Sequence, residues 1–176
     1  MVNKKGFTLI EVIVVMAVIG IMAAIAIPSI IARVPDYKLK GAARDVYSTL
    51  QRARTLAVKI NGNSRVYFDV ANNEYDLCDD WNTTTSSCDG NIQTVSFNNI
   101  GAGVGYGHGN AASAVGAGFD NEATYGGDDV VFGPRGLGDA SGYVYLDHQK
   151  STTTYAIGSL TSGSIRIYKW DGSAWE

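Results

Sequence analysis

The stretch that decides the fold is Lys5-Gly6-Phe7-Thr8-Leu9-Ile10-Glu11, which is followed by an uncharged apolar run from Val12 to Ala32. A helix rises about 1.5 Å per residue, so about twenty apolar residues cross a hydrocarbon layer of roughly 30 Å. The run therefore predicts one membrane-spanning helix. An ordinary secretory signal peptide would carry its cleavage site after the apolar core, whereas the Gly-Phe-Thr-Leu-Ile-Glu sequence precedes it. A simple membrane anchor is the other alternative.

Glu11 is a carboxylate close to the start of this apolar segment. A charge at the centre of a membrane helix costs on the order of 3 kcal/mol on insertion scales, so such a residue usually has a partner. Cleavage after Gly6 would expose a positive amine on Phe7, one helical turn before Glu11. In an assembly of identical helices, we expect that amine and the carboxylate of a neighbouring chain to neutralise each other.

The quoted stretch and the apolar helix after it resemble the leader and N-terminal helix of type IV pilins and type II secretion pseudopilins. The resemblance implies that a prepilin peptidase cuts between Gly6 and Phe7, that the new amine of Phe7 is methylated, and that Glu11 is the assembly glutamate. Gly20 and Pro28 lie where that family's helix bends. The implied partners are other pilin or pseudopilin subunits, contacted through the N-terminal helices, the peptidase, and an inner-membrane assembly platform.

The chain divides by this interpretation into a leader peptide (residues 1–6), a transmembrane and assembly helix (7–35), and one domain (36–176) large enough for a real core. The predicted fold is α+β and pilin-like. A long N-terminal helix has a membrane-spanning first half and an amphipathic second half, which packs on an antiparallel β-sheet or sandwich. The resemblance implies single-pass insertion in the bacterial inner membrane, with the C-terminal domain in the periplasm.

Apolar residues recur at steps of four and three in the second half of the helix, which indicates one buried stripe. The stripe comprises Leu39, Ala43, Val46, Leu50, Ala53, Ala57 and Ile60. Pro28 and Pro35 each remove a backbone donor and predict a kink or loosening between the two halves. A coiled coil is the alternative, but the stripe lasts about three heptads and stops at the turn sequence Asn61-Gly62-Asn63.

Alternating apolar residues predict strands along the rest of the chain. The predicted strands are Ser64–Val70, Glu74–Leu77, Ile92–Phe97, Val130–Phe132, Gly142–Leu146, Thr153–Ile157 and Ile165–Trp170. The glycine-rich segment 101–127 matches no phosphate-binding motif, and we expect an irregular surface excursion there. A glycine-rich strand that closely approaches another subunit is its functional alternative.

Cys78 and Cys88 are the only cysteines, and they bracket a polar, turn-rich segment. We expect a disulfide that closes this short loop, which favours an oxidising compartment. A zinc site is the alternative, although zinc prefers four ligands and no histidine lies nearby in sequence.

The segments Phe132–Gly136 and Ser162–Arg166 resemble the minor pseudopilin GspH and the minor pilin FimT. The resemblance implies a minor pseudopilin, a structural subunit of the type II secretion pseudopilus that functions in protein secretion. The alternative is a FimT-like minor pilin of a type IV pilus, serving pilus assembly, adhesion or DNA uptake. A major or adhesive filament subunit is a third class, because such subunits share the same leader.

Sequence features for catalysis or ligand binding are sparse. We interpret His108 and His148 as surface residues, and we predict neither an enzyme nor a cofactor. The pairs Asp79–Asp80 and Asp128–Asp129 leave calcium as an alternative, although neither matches an EF-hand. The net charge is -3, and the C-terminal tail from residue 167 offers one lysine against two carboxylates, so we do not expect nucleic-acid binding.

Overall fold

The computed structural model describes residues 6–116, 118–119 and 122–176. The chain forms two compact units, Met1–Val34 and Pro35–Glu176, and the helix α1 (Leu9–Ile60) contributes residues to both. The remaining elements are β1 (Ser64–Asp69), β2 (Glu74–Cys78), β3 (Trp81–Asn82), β4 (Ser87–Cys88), β5 (Ile92–Ser96), α2 (Phe97–Ile100), β6 (Val104–Tyr106), β7 (Asp129–Phe132), β8 (Gly142–His148), β9 (Thr154–Ser159) and β10 (Ile165–Trp170).

The C-terminal half of α1 buries the predicted stripe, with one addition and one correction. Its buried side chains are Leu39, Ala42, Ala43, Val46, Leu50, Ala53 and Ala57. Ala42 was not in the predicted stripe. Ile60 was predicted to be buried, which is wrong, because its side chain is 43% exposed. The helix ends at Ile60, so no further turn continues the buried face there.

The turn after α1 explains why the helix stops at that residue. Asn61 has a φ of 52°, in the left-handed region where asparagine is tolerated better than most residues. The N–H of Asn61 donates to the carbonyl of Val58, and the N–H of Gly62 donates to the carbonyl of Ala57. These two hydrogen bonds form a Schellman motif, which satisfies carbonyls that the end of a helix leaves without partners.

The first sheet has four antiparallel strands in the order β5-β2-β1-β7. Strand β1 alternates buried and half-buried residues, as the period of two along the sequence predicts. Its buried residues Val66 and Phe68 lie in the same core cluster as the α1 stripe. Strands β1 and β2 form the predicted hairpin, with Asn73 at a φ of 58° in the turn.

The second sheet also has four antiparallel strands, in the order β10-β9-β8-β6. The prediction of an irregular excursion over segment 101–127 was wrong for residues 104–106, which form β6 and pair with the end of β8. The segment around Ala123 pairs with β8 as well, through a bridge from Ala123 to Val144. Because β8 supplies a backbone edge for both stretches, two parts of the glycine-rich segment add to the sheet.

One hydrophobic core joins the second half of α1 to both four-stranded sheets. The largest fully buried side chains include Tyr75, Phe68, Phe97 and Phe132. Tyr75 also carries a polar link, because its hydroxyl donates to the carboxylate of Asp45 on α1 at 2.5 Å. Burial, followed by the hydrogen bond to that carboxylate, raises the pKa of the Tyr75 hydroxyl. The predicted α+β, pilin-like architecture is confirmed.

Candidate assembly and processing site

The first half of α1 exposes nearly all of its side chains. Large apolar residues along it are 39–77% exposed, and Ile25 is 74% exposed. This part of the helix is long and apolar enough to cross a membrane. Exposed apolar side chains of this kind favour lipid or other apolar helices over water.

A short non-helical segment, Gly6 to Thr8, precedes α1. The carbonyl of Thr8 accepts the N–H of Val12 at 3.3 Å, and its side-chain Oγ1 accepts the N–H of Glu11 at 3.3 Å. Thr8 is therefore the N-cap of the helix, and Glu11 is its third residue. The capping role of Thr8 was not predicted from the sequence. The pattern Thr8-x-x-Glu11 before an apolar run is a capping-box signature, which could have identified Thr8 as the N-cap.

The residues predicted for cleavage and assembly lie together at this end of the chain. Phe7 is 83% exposed, and Glu11 is exposed as well. A Cβ built on Gly6 would meet no atom within 4 Å, so nothing around it in the described chain requires glycine there. The neutralisation of Glu11 by the Phe7 amine of a neighbouring chain stays a prediction.

Gly20 and Pro28 lie inside the helical segment, which continues through both positions. The hydroxyl of Ser29 donates to the carbonyl of Ala26 at 2.9 Å, beside the proline. A kink at Gly20 or Pro28 stays a prediction.

The two C-terminal segments that carried the second resemblance meet in the fold. Gly163 has a φ of 76°, and a Cβ at that position would lie 1.9 Å from the carbonyl oxygen of Gly136. Arg54 of α1 donates from Nε to that same carbonyl at 3.1 Å. The N–H of Gly138 donates to the carbonyl of Thr161 at 3.2 Å. Two glycine turns are thus held against each other and against the helix, and we call this contact the Gly136–Gly163 junction.

The interpretation of His148 as a surface residue was wrong, because it is only 6% exposed. Its Nδ1 accepts the N–H of Lys150 at 3.0 Å, and its Nε2 lies 3.2 Å from the carbonyl of Ala102. With Nδ1 as an acceptor, Nε2 carries the proton and donates to that carbonyl. The ring fills the space beside Gly103, where a Cβ would lie 2.9 Å from it.

His108 is exposed, which confirms its interpretation as a surface residue, and its ring stacks on Phe119 with ring centroids 4.4 Å apart. The cluster continues to Tyr145 and Trp175, and the Trp175 indole donates to the carbonyl of Ser113 at 2.7 Å. Both histidines therefore take part in packing or backbone contacts.

Cys78 and Cys88 form a disulfide, so that prediction is confirmed. The bridge closes the small hairpin of β3 and β4. Next to this hairpin, the carboxylate of Asp79 accepts hydrogen bonds from the side chain and backbone N–H of Asn91, which lower the pKa of Asp79. Among the residues that the structure describes, no group of three or more His, Cys, Asp or Glu side chains is arranged to hold a metal ion.

Arg65 ties this hairpin to the first sheet. Its guanidinium lies 4.3 Å from the ring centroid of Trp81 and 4.9 Å from that of Tyr67. Its Nε also donates to the carboxylate of Asp129 at 2.5 Å. One of the carboxylates considered for calcium is therefore paired with an arginine.

A family model confirms what the N-terminal sequence indicates, since residues 1–27 match the model described as the prokaryotic N-terminal methylation motif. The chain carries the signal of type IV pilins and pseudopilins. The matched residues include the Gly6–Phe7 bond, Glu11 and Gly20. No curated protein and no solved structure matches the chain significantly.

The motif, the exposed apolar half of α1 and the antiparallel sheets together support a type IV pilin-like or pseudopilin protein that is anchored in a membrane. Pilin-type motifs imply prepilin processing and assembly with other members of the family in general. The matched motif lies within the first of the two compact units, Met1–Val34, and a separately packed unit follows it.

Proposed function

We propose that the chain is a minor pseudopilin, a structural subunit of the type II secretion pseudopilus that functions in protein secretion. One helix holds it in the bacterial inner membrane, with residues 36–176 in the periplasm. The observation that carries the subtype is the Gly136–Gly163 junction. The segments that resemble GspH are far apart in sequence, yet they form one contact on α1.

The disulfide supports the periplasmic placement, because disulfides persist in oxidising compartments and are rare in the cytosol. The exposed half of α1 supports assembly through helix packing, since it has no cover in the described chain. The chemistry on this chain then belongs to other proteins, namely the prepilin peptidase and the methylating enzyme. We therefore propose no enzymatic activity.

Mass analysis of the protein recovered from its native membrane tests the processing step. We expect Phe7 as the first residue, methylated on its amine, and a peptide pair linked through Cys78 and Cys88. An uncut Met1 would contradict processing at Gly6. Cleavage after the apolar run would instead indicate an ordinary secreted protein.

Substitutions of Glu11 test assembly, and the N-cap geometry decides which variant is informative. Glu11 is the third helical residue, where both Glu and Gln suit a capping box. Glu11→Gln therefore removes the charge and keeps the capping preference, whereas Glu11→Ala removes both. We expect both variants to insert in the membrane and both to fail to enter filaments. If Glu11→Gln assembled normally, neutralisation of a neighbour's amine would be wrong.

Deletion of the gene, with complementation by the wild-type chain, distinguishes a role in the type II secretion pseudopilus from a role in a type IV pilus. We expect loss of protein secretion with type IV pili intact. Loss of pili with secretion intact would favour the FimT-like alternative. An abundance equal to that of the principal subunit in purified filaments would favour a major subunit instead.

A further inference from the structure

The chain before α1 is the part that a prepilin peptidase must engage if the proposed function holds. Gly6, Phe7 and Thr8 lie outside the helix, which begins at Leu9. Phe7 is 83% exposed, and the position of a Cβ on Gly6 is open. The Gly6–Phe7 peptide bond therefore lies in accessible, non-helical backbone immediately upstream of a 52-residue helix.

The hydroxyl of Thr8 is what defines the start of that helix. The first N–H groups of any helix lack an acceptor within the helix, and an apolar layer offers no water to replace one. Here Thr8 Oγ1 accepts the N–H of Glu11. Without that hydroxyl, the acceptor that helical geometry provides for this N–H is the carbonyl of Phe7, four residues earlier. That bond would wind Phe7 and Thr8 into the helix.

We infer that Thr8 is a positioning residue for leader cleavage. Its hydroxyl ends the helix at Leu9 and so keeps the Gly6–Phe7 bond in accessible, non-helical backbone. The reaction itself is hydrolysis: water adds across the amide, the C–N bond breaks, and the products are a carboxylate on Gly6 and an amine on Phe7. The peptidase supplies the catalytic groups, and Thr8 supplies the conformation of the substrate.

If the Thr8 cap served only helix stability, its loss would not have to change the conformation of Phe7. Loss of a cap weakens the first turn whether the helix extends upstream or frays downstream. Only upstream extension brings the scissile bond against the first turn. Measuring the backbone conformation of Phe7 alongside the cleavage rate therefore separates positioning from a general loss of stability.

The test uses the full-length precursor in lipid vesicles with purified prepilin peptidase, and cleavage is followed by intact mass. Thr8→Ala removes the hydroxyl and favours helix, while Thr8→Ser keeps a capping hydroxyl as the matched control. We expect kcat/KM for Thr8→Ala to fall about fivefold and Thr8→Ser to remain near the wild type. Backbone carbon chemical shifts of Phe7 in labelled precursor should become helical in Thr8→Ala alone.

Several results would overturn the inference. Cleavage of Thr8→Ala at the wild-type rate would overturn it. So would slow cleavage of Thr8→Ala with unchanged Phe7 shifts, because that would indicate direct contact of the hydroxyl with the peptidase. A Thr8→Ser variant as slow as Thr8→Ala would also contradict it. A wild-type precursor that is not cut at all would overturn the proposed function and this inference with it.

Discussion

The two halves of α1 share a backbone conformation and have opposite surroundings. In residues 9–34 nearly every side chain is exposed, including large apolar ones such as Ile19 and Ile25. In residues 35–60 a stripe of seven side chains is buried against two β-sheets. Secondary structure alone therefore does not distinguish the half whose packing partner lies in the same chain from the half whose partner lies outside it.

The difference follows from how apolar residues are distributed around the helix. The first half is apolar on all sides, which suits lipid or a bundle of like helices. The second half places small and branched apolar residues on one face and charged residues elsewhere, which suits a sheet on one side and water on the other. The comparison predicts that substitutions in the two halves will affect different measurements.

The largest expected effect on stability comes from a substitution of Leu50, which is fully buried in the second half of the helix. Leu50→Ala should lower the free energy of unfolding of the C-terminal unit by about 2–5 kcal/mol, because it leaves a cavity in the core. Ile19→Ala in the first half is the matched control, and it should leave that free energy unchanged. Urea unfolding of the full chain in detergent, followed by tryptophan fluorescence, measures both. Equal losses would contradict the difference in surroundings between the two halves.

The disulfide gives the next largest effect, and it belongs to the C-terminal unit alone. Removing the Cys78–Cys88 bridge, which spans a sequence separation of 10, should lower the unfolding free energy by about 2–3 kcal/mol on the loop-entropy model. Cys78→Ser/Cys88→Ser should match the reduced wild type, and added reductant should leave the variant unchanged. The bridge does not stabilise the fold if the reduced wild type has the same unfolding free energy as the oxidised protein. Both thiols must be shown to be free in the reduced sample.

Arg54 lies in the second half of the helix and contacts the Gly136–Gly163 junction. Arg54→Ala should cost about 1–2 kcal/mol, because the carbonyl of Gly136 loses a charged donor in a half-buried site. Lys59→Ala, on the exposed side of the last turn, is the control and should change stability by less than about 0.5 kcal/mol. Similar values for the two variants would mean that the junction does not depend on Arg54.

The smallest effect is electrostatic and concerns Asp147 on β8. Burial raises the pKa of this carboxyl, against smaller opposing effects of His108 and His148. A raised pKa in the folded state means that the contribution to stability is present at low pH and is lost as pH rises through the folded pKa. Asp147→Asn should therefore stabilise the protein at pH 7, and the gain should shrink as pH falls toward about 4.

Asp171 provides a control, because its expected contribution to stability depends on pH in the opposite direction. Hydrogen bonds from the backbone of Ala174 and Ser173 lower the pKa of its carboxyl, so its contribution is present at neutral pH and is lost in acid. Thermal unfolding midpoints between pH 3 and pH 8 for both Asn variants measure the two trends. A gain for Asp147→Asn that did not vary with pH would contradict the assigned cause.

Much of the fold follows from local patterns in the sequence. The period of the apolar residues predicted the buried stripe of α1, and the alternation in β1 predicted its inward face. Both depend on repeats that one element displays by itself. Ile60 and residues 104–106 were mispredicted for a different reason. Whether the stripe continues, or a glycine-rich stretch pairs, depends on where a neighbouring strand lies.

The residues of the candidate sites also differ in whether a local sequence pattern indicates them. Gly6, Phe7 and Glu11 could be chosen from the sequence because they stand in a contiguous motif. Thr8 carried a local capping signature that the sequence analysis did not use. The burial of His148 had no local signature, because its ring is enclosed by Gly103 and the carbonyl of Ala102, which lie more than forty positions earlier in the chain.

The methylation motif, the apolar helix, the paired cysteines and most strand positions could be predicted, because each is encoded in neighbouring residues. The order of the strands in the two sheets, the pairing of the glycine-rich segment with β8, and the contact of Gly136 with Gly163 became known from the folded chain alone. Those features arise when distant segments compete for the same core and the same backbone partners. No local period records the outcome of that competition.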